Sequence, residues 1–145
     1  MHRFPMTFST ILPLCLGILL LAGTVHAQPP EKQKAAIAAA EKWLALIDAG
    51  KYAKGWTKAA GYFKNAITQE KLVKSLNAVR KPLGQVISRK VKSSKYTTSL
   101  PGAPDGEYMV IRFETSFVNK KSAIETVTPI LEKDGRWKVD GYFIR

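Results

Sequence analysis

Three regimes of hydrophobic spacing divide the chain. Residues 11–22 (ILPLCLGILLLA) form an unbroken apolar run, residues 31–80 repeat their apolar positions at helical spacing, and after Gly84 the period drops to about two. In the helical region Ala36, Ala40, Trp43, Leu44 and Ile47 share one stripe of a helix predicted over Glu31 to Ala49, with Glu41, Lys42 and Asp48 off that stripe and Gly50 as a stop. A second helix puts Tyr52, Trp56, Ala59, Ala60 and Phe63 on one side and Lys51, Lys54 and Lys58 on the other. A third opens at Thr68 as N-cap, runs through Leu72, Val73, Leu76 and Val79, and ends at Pro82-Leu83-Gly84.

Four strands are predicted beyond that point, at Gln85–Tyr96, Glu107–Asn119, Ser122–Lys133 and Arg136–Ile144. Asp134-Gly135 is a two-residue hairpin signal; it pairs Lys133 with Arg136, setting Ile130 opposite Val139 and Thr126 opposite Phe143. A turn at Lys120-Lys121 pairs Asn119 with Ser122 and sets Phe117 opposite Ile124, Phe113 opposite Thr128 and Ile111 opposite Ile130. Since side chains alternate between faces, both hairpins then gather Met109, Ile111, Phe113, Phe117, Ile124, Ile130, Trp137, Val139 and Phe143 on one face, with Thr115, Thr126 and Thr128 as a mildly polar row. The expected fold is α+β: three N-terminal helices packed on a curved four-stranded antiparallel sheet.

The opposite face mixes Arg112, Glu114, Glu125, Lys138 and Asp140 with Val110, Val118, Val127, Leu131, Tyr142 and Ile144. That is too apolar for an ordinary solvated face. Val110, Arg112, Val127, Leu131 and Tyr142 are therefore predicted to form an interface with a second copy of the chain, as a homodimer, or with an envelope protein.

The apolar run changes the reading of the whole. With Arg3 before it and Val25-His26-Ala27 after it, residues 1–27 read as a signal peptide cleaved after Ala27, which predicts a periplasmic or secreted protein. The run is shorter than the roughly 20 residues a bilayer span needs, so no transmembrane anchor is expected after cleavage. A lipoprotein reading through Cys15 is weakened by Leu14, bulky where a small residue is needed, and by the apolar stretch continuing past the cysteine. Residues 28–145 then form a single domain. Its 118 residues contain neither His nor Cys, because His2, His26 and Cys15 all lie in the leader. Ser-His-Asp and Cys-His catalysis, His/Cys metal sites and disulfides are thereby excluded, and no cofactor or metal is predicted. The segment carries 22 Lys+Arg against 11 Asp+Glu, which favours anionic partners. Of those cations 17 are scattered lysines rather than Arg forks, which weighs against nucleic acid.

Candidate chemistry is sparse. Arg89 lies between Ile87 and Val91 on an inward face, where an unpaired charge is costly. It either receives an anion in a pocket floored by Thr115, Thr126 and Thr128 or satisfies an internal acid. The Glu114/Glu125 pair falls on the open outer face, where nothing separates the two pKa values as glycosidase-like work requires. Lys51, Lys54 and Lys58 read as a solvated face before an anion site, and the aromatic stripe Tyr52, Trp56 and Phe63 as core. The stretch LPGAPDGEY, residues 100–108, is explained by turn geometry. These readings favour a non-catalytic binding or interaction module over a small isomerase or lyase with an Asp/Tyr pair, since only Glu132 approaches the predicted core face, and over a basic protein held electrostatically to the envelope or nucleic acid.

Several motifs in order carry a resemblance. WLALIDAGKY (residues 43–52) followed by Trp56, RKPLG (80–84) with Ser88-Arg89, LPGAPDGEY (100–108), ETVTP (125–129) and DGRWKVDGY (134–142) resemble the bacterial domain-of-unknown-function 4019 family. The resemblance implies a secreted or periplasmic protein of a Gram-negative bacterium and supplies no activity. The order of helices then sheet is similar to the cystatin-like and nuclear transport factor 2-like superfold, a cone that hosts enzymes, carriers and interaction modules alike.

Overall fold

The computed structural model describes residues 30–145, so the expected leader, residues 1–27, lies outside the described part. Helix α1 (Pro30–Asp48) buries the stripe foreseen, Ala36, Ala40, Trp43, Leu44 and Ile47. The expected second helix is broken in two, α2 (Tyr52–Lys58) and α3 (Gly61–Ala66). Ala59 and Ala60 are extended between them because the Ala60 N–H leaves the helix to donate to the Val139 carbonyl at 2.8 Å. A sheet edge thus outcompetes the helical propensity of two alanines. Helix α4 (Gln69–Arg80) starts at Thr68, whose hydroxyl accepts from the Lys71 N–H at 3.3 Å, and passes into a 3-10 turn at Lys81–Leu83.

Strands β1 (Val86–Thr97), β2 (Tyr108–Phe117), β3 (Lys120–Leu131) and β4 (Trp137–Ile144) form one antiparallel meander in the order β1-β2-β3-β4. The architecture is α+β, with four α-helices among the described residues where three were expected. Helix α1 supplies most of the helical contact with the sheet, and the core joins its stripe to Leu72, Leu76, Met109, Ile111, Phe113, Val127 and Val139.

The β2–β3 register differs from expectation. The turn is Val118-Asn119, not Lys120-Lys121, and Ile111 lies opposite Val127, Phe113 opposite Glu125 and Thr115 opposite Ala123. The shift is three residues, an odd number, so β3 presents the other set of side chains to the helices. Tertiary contact holds this turn: the Val118 and Asn119 N–H groups donate to Gln85 O and Leu83 O, both at 2.9 Å, and Asn119 Nδ2 donates to Pro82 O at 3.0 Å. Gly84, at φ +75°, allows the approach; a Cβ there would sit 3.1 Å from that of Val118. In the β3–β4 hairpin Thr126 faces Phe143 as expected, but a register shift beyond Thr128 sets Val139 opposite Pro129 instead of Ile130.

The faces are re-sorted accordingly. Met109, Ile111, Phe113, Thr115, Phe117 and Val139 are buried on the helical side as foreseen. Ile124, Ile130 and Phe143 move to the outer face, where Phe143 is 48% exposed under the Arg145 guanidinium. Val127 and Tyr142 move inward and Leu131 follows by alternation, while Val110 and Arg112 stay outside. The five-residue interface expected there is not one surface. Outward-facing Tyr108 is fully buried: the loop after β1 turns back over it, its hydroxyl donating to Pro104 O at 2.6 Å. Tyr62 of α3 ties down the same loop through Gly102 O at 2.8 Å.

Helix α3 fixes the edge of β4 through Asp140, whose carboxylate accepts from the Phe63 N–H at 3.1 Å. Burial pushes the Asp140 carboxyl up to about 6, against the Phe63 hydrogen bond and with help from the Glu132 charge. The folded chain therefore holds a proton that the unfolded chain has already lost between about pH 4 and pH 6, and stability falls as pH rises through that window. Asp140→Asn keeps the acceptor and removes the charge. It is expected to be more stable than the parent at pH 7 by about 1 kcal/mol, the half-buried position screening part of the shift, and to match it near pH 4. Urea midpoints across that range check this; a variant less stable at pH 7 contradicts it.

Candidate functional site

The register shift has its main consequence at Glu125. Expected on the open face, it is fully buried beneath α1, in the same layer as Arg89 and Thr115. Arg89 Nε donates to Glu125 Oε1 at 2.7 Å, and the Thr115 hydroxyl donates to the same oxygen at 2.6 Å. The Tyr142 hydroxyl donates to Oε2 at 2.6 Å, and Arg80 lies 3.6 Å from that oxygen. Asp48, the last residue of α1, bridges both guanidiniums: its oxygens accept from Arg89 Nη1 and Nη2 at 2.6 and 2.9 Å and from Arg80 Nη2 at 2.7 Å. Arg80, 5% exposed, also donates to Tyr142 Oη at 3.2 Å and stacks over Phe117 at 5.0 Å, leaving its Nε unbonded.

Two guanidiniums and two carboxylates make the cluster neutral. Burial alone would raise the Asp48 carboxyl, but hydrogen bonds from Arg89 and Arg80 outweigh it and hold the group below the usual range. Burial works against the Arg89 charge too, and its bonds to Asp48 and Glu125 outweigh that and push it up. Tyr142 is pushed up by burial and then by the Glu125 carboxylate, so it stays a hydrogen-bond donor. With its donors engaged from two sides, Arg89 satisfies internal acids. Thr115 belongs to the cluster, whereas Thr126 and Thr128 lie on the other face, Thr126 between Arg112 and Phe143, so the expected pocket floor is not assembled. Space above the sheet is filled by Trp43, 3% exposed, with Trp56 and Phe63 packed against the core.

Asp48 and Arg80 are not singled out by the sequence, and Tyr142, expected in the outer interface, belongs to the cluster instead. Arg80 had a readable signal, since it continues the Leu72–Leu76 stripe at the next i+4 position. Asp48 had none, being off the apolar stripe and reaching the cluster only because α1 ends beside it.

Residues 39–142 match the family described as Protein of unknown function (DUF4019). The chain belongs to this family. Every member of the ionic cluster, from half-exposed Asp48 to Tyr142, falls inside the DUF4019 match. No curated protein matches the chain.

A second feature inside the DUF4019 region is open to solvent. A half-enclosed groove of about 470 Å³ runs between α1, α2 and the start of β4, floored by Ala39, Leu46 and Trp137. Lys42, Lys54, Lys58, Arg136 and Lys138 line it. Arg136 is held by Asp134 at 2.8 Å and Lys138 by Glu132 at 2.8 Å, whereas the three helix lysines have no ion pair among the described residues. No described group of three or more His, Cys, Asp or Glu is placed to hold a metal ion, and no described helix is long and apolar enough to cross a membrane.

Proposed function

We propose that this chain is a non-catalytic binding module of the bacterial envelope, exported by residues 1–27, cleaved after Ala27, and built on a cone of the cystatin or nuclear transport factor 2 kind. The observation that carries the reading is the self-satisfied state of the interior: Arg89, Arg80, Asp48 and Glu125 neutralise one another, with Glu125 and Arg80 buried and only the Asp48 and Arg89 end of the cluster reaching the surface. A general acid or base needs reach to a substrate proton, and fully buried Glu125 has none. Recognition is then left to surfaces. The outer sheet face, where Phe143 is 48% exposed and Val110 and Ile124 are partly covered, remains a place for a second copy or an envelope partner.

One observation favours the rival enzyme reading, namely a buried acid 2.6 Å from a tyrosine hydroxyl, Glu125 and Tyr142. The two readings separate by experiment. Protein recovered from the periplasm is expected to begin at Gln28 and to carry, in native mass spectrometry, a non-covalent adduct that denaturation removes. A chain retaining residues 1–27 in the cytoplasm overturns the export. Turnover of any substrate that Glu125→Gln abolishes in a folded protein overturns the non-catalytic reading.

A further inference from the structure

The groove between α1, α2 and β4 combines two properties. Its floor is apolar, because Ala39, Trp43 and Leu46 recur at i, i+4 and i+7 along α1 and meet Trp137 across the gap. Its rim is cationic. Five cations face Glu132 and Asp134 alone, a local balance of three positive charges, and both acids are engaged with Arg136 and Lys138. Lys54 and Lys58, one turn apart on α2, and Lys42 on α1 are exposed and unpaired. Its volume lies within the ~300–1,000 Å³ typical of small-molecule sites.

We infer that this groove binds a single anionic amphiphile, its phosphate or carboxylate head held by Lys42, Lys54 and Lys58 and its alkyl part laid along Leu46 and Trp137. The inference rests on the binding-module reading and assigns it a site and a ligand class. Charge complementarity sets the head group, since three ammonium groups without counter-ions surround one opening. The floor sets the tail. Trp137 is half-buried between elements rather than projecting, so a chain entering the groove reaches it and a flat bilayer surface does not. Nucleic acid fits less well, because lysines act as point charges whereas phosphate and base edges are read by Arg forks.

Purified protein titrated with decyl phosphate below its micellar concentration is expected to bind one molecule, with a change in tryptophan emission that Trp137→Phe abolishes. Lys54→Glu/Lys58→Glu is expected to weaken binding about tenfold or more. Lys120→Glu/Lys121→Glu, which changes the net charge equally at the exposed start of β3, is expected to change it by less than about threefold. Thermal midpoints verify that each variant is folded, and Lys54→Gln/Lys58→Gln replaces the first variant if it is not. Inorganic phosphate and decyl maltoside, which carry the head or the tail alone, are expected to bind far more weakly. Absence of decyl phosphate binding, or equal loss in the two charge variants, overturns the inference. Tighter binding to phosphatidylglycerol vesicles or to a short DNA duplex through the same lysines overturns it in favour of a membrane or nucleic-acid surface. A native adduct that persists in Lys54→Glu/Lys58→Glu leaves the binding module standing and removes only this site.

Discussion

Glu125→Ala is expected to lower the folding stability by about 3–5 kcal/mol, the usual cost of removing one partner from a buried ion pair. The carboxylate is fully buried and accepts from Arg89, Thr115 and Tyr142, so its loss strands a guanidinium and two hydroxyl donors together. Arg80, beside the same carboxylate, would keep only Asp48 as counter-charge, and Asp48 would have to serve two guanidiniums. The cost comes from orphaned charge and does not measure the value of the pair. Glu125→Leu combined with Arg89→Leu should therefore recover part of the loss, because the second change removes a charge the first has stranded. Denaturant unfolding of the two single variants and the double variant supplies the comparison. A Glu125→Ala protein within about 1 kcal/mol of the parent would mean that water reaches the Glu125 end of the cluster.

Trp43→Ala is expected to cost a similar amount, about 3–5 kcal/mol, for a different reason. The indole is almost wholly buried, donates from Nε1 to the Gly55 carbonyl at 2.9 Å, and meets the Tyr142 ring edge-on at 5.2 Å. Truncation opens a cavity between α1 and α2, orphans a carbonyl, and loosens the ring whose hydroxyl serves Glu125. Trp43→Phe retains most of the packing and loses the hydrogen bond, so about 1–2 kcal/mol is expected. Thermal unfolding of the pair tests the ordering. Equal losses would show that the hydrogen bond, not the volume, dominates.

The sequence was legible wherever one periodicity decided the outcome. Helix α1 buries the five residues of its predicted stripe, α4 starts on its predicted cap, and the four strands fall within a few residues of their expected limits. What failed was the relation between strands. Lys120-Lys121 has no turn chemistry of its own, whereas Asn119 is a turn former, and the actual turn is clamped by Pro82–Gln85, more than thirty residues upstream. Local pattern could not weigh a contact at that distance. One misplaced turn then inverted β3, sending Glu125 and Val127 to the wrong face and Thr126, Thr128 and Ile130 with them. The demand that an inward Arg89 must find an acid was sound; the acid was hidden by the inverted strand.

The register shifts along β1 carry a further consequence. As an edge strand, β1 would present an open row of hydrogen-bonding groups, but the ladder slips at Ile87, which is 64% exposed, and again at Lys92, with Lys90 and Lys95 nearby. Interruptions and charge of this kind discourage strand addition. At the other edge the Val139 carbonyl is already taken by Ala60. A second copy of the chain, if it assembles with the first, would meet it through side chains on the outer face rather than by continuing the sheet, and growth into an extended β-ribbon is disfavoured at both edges.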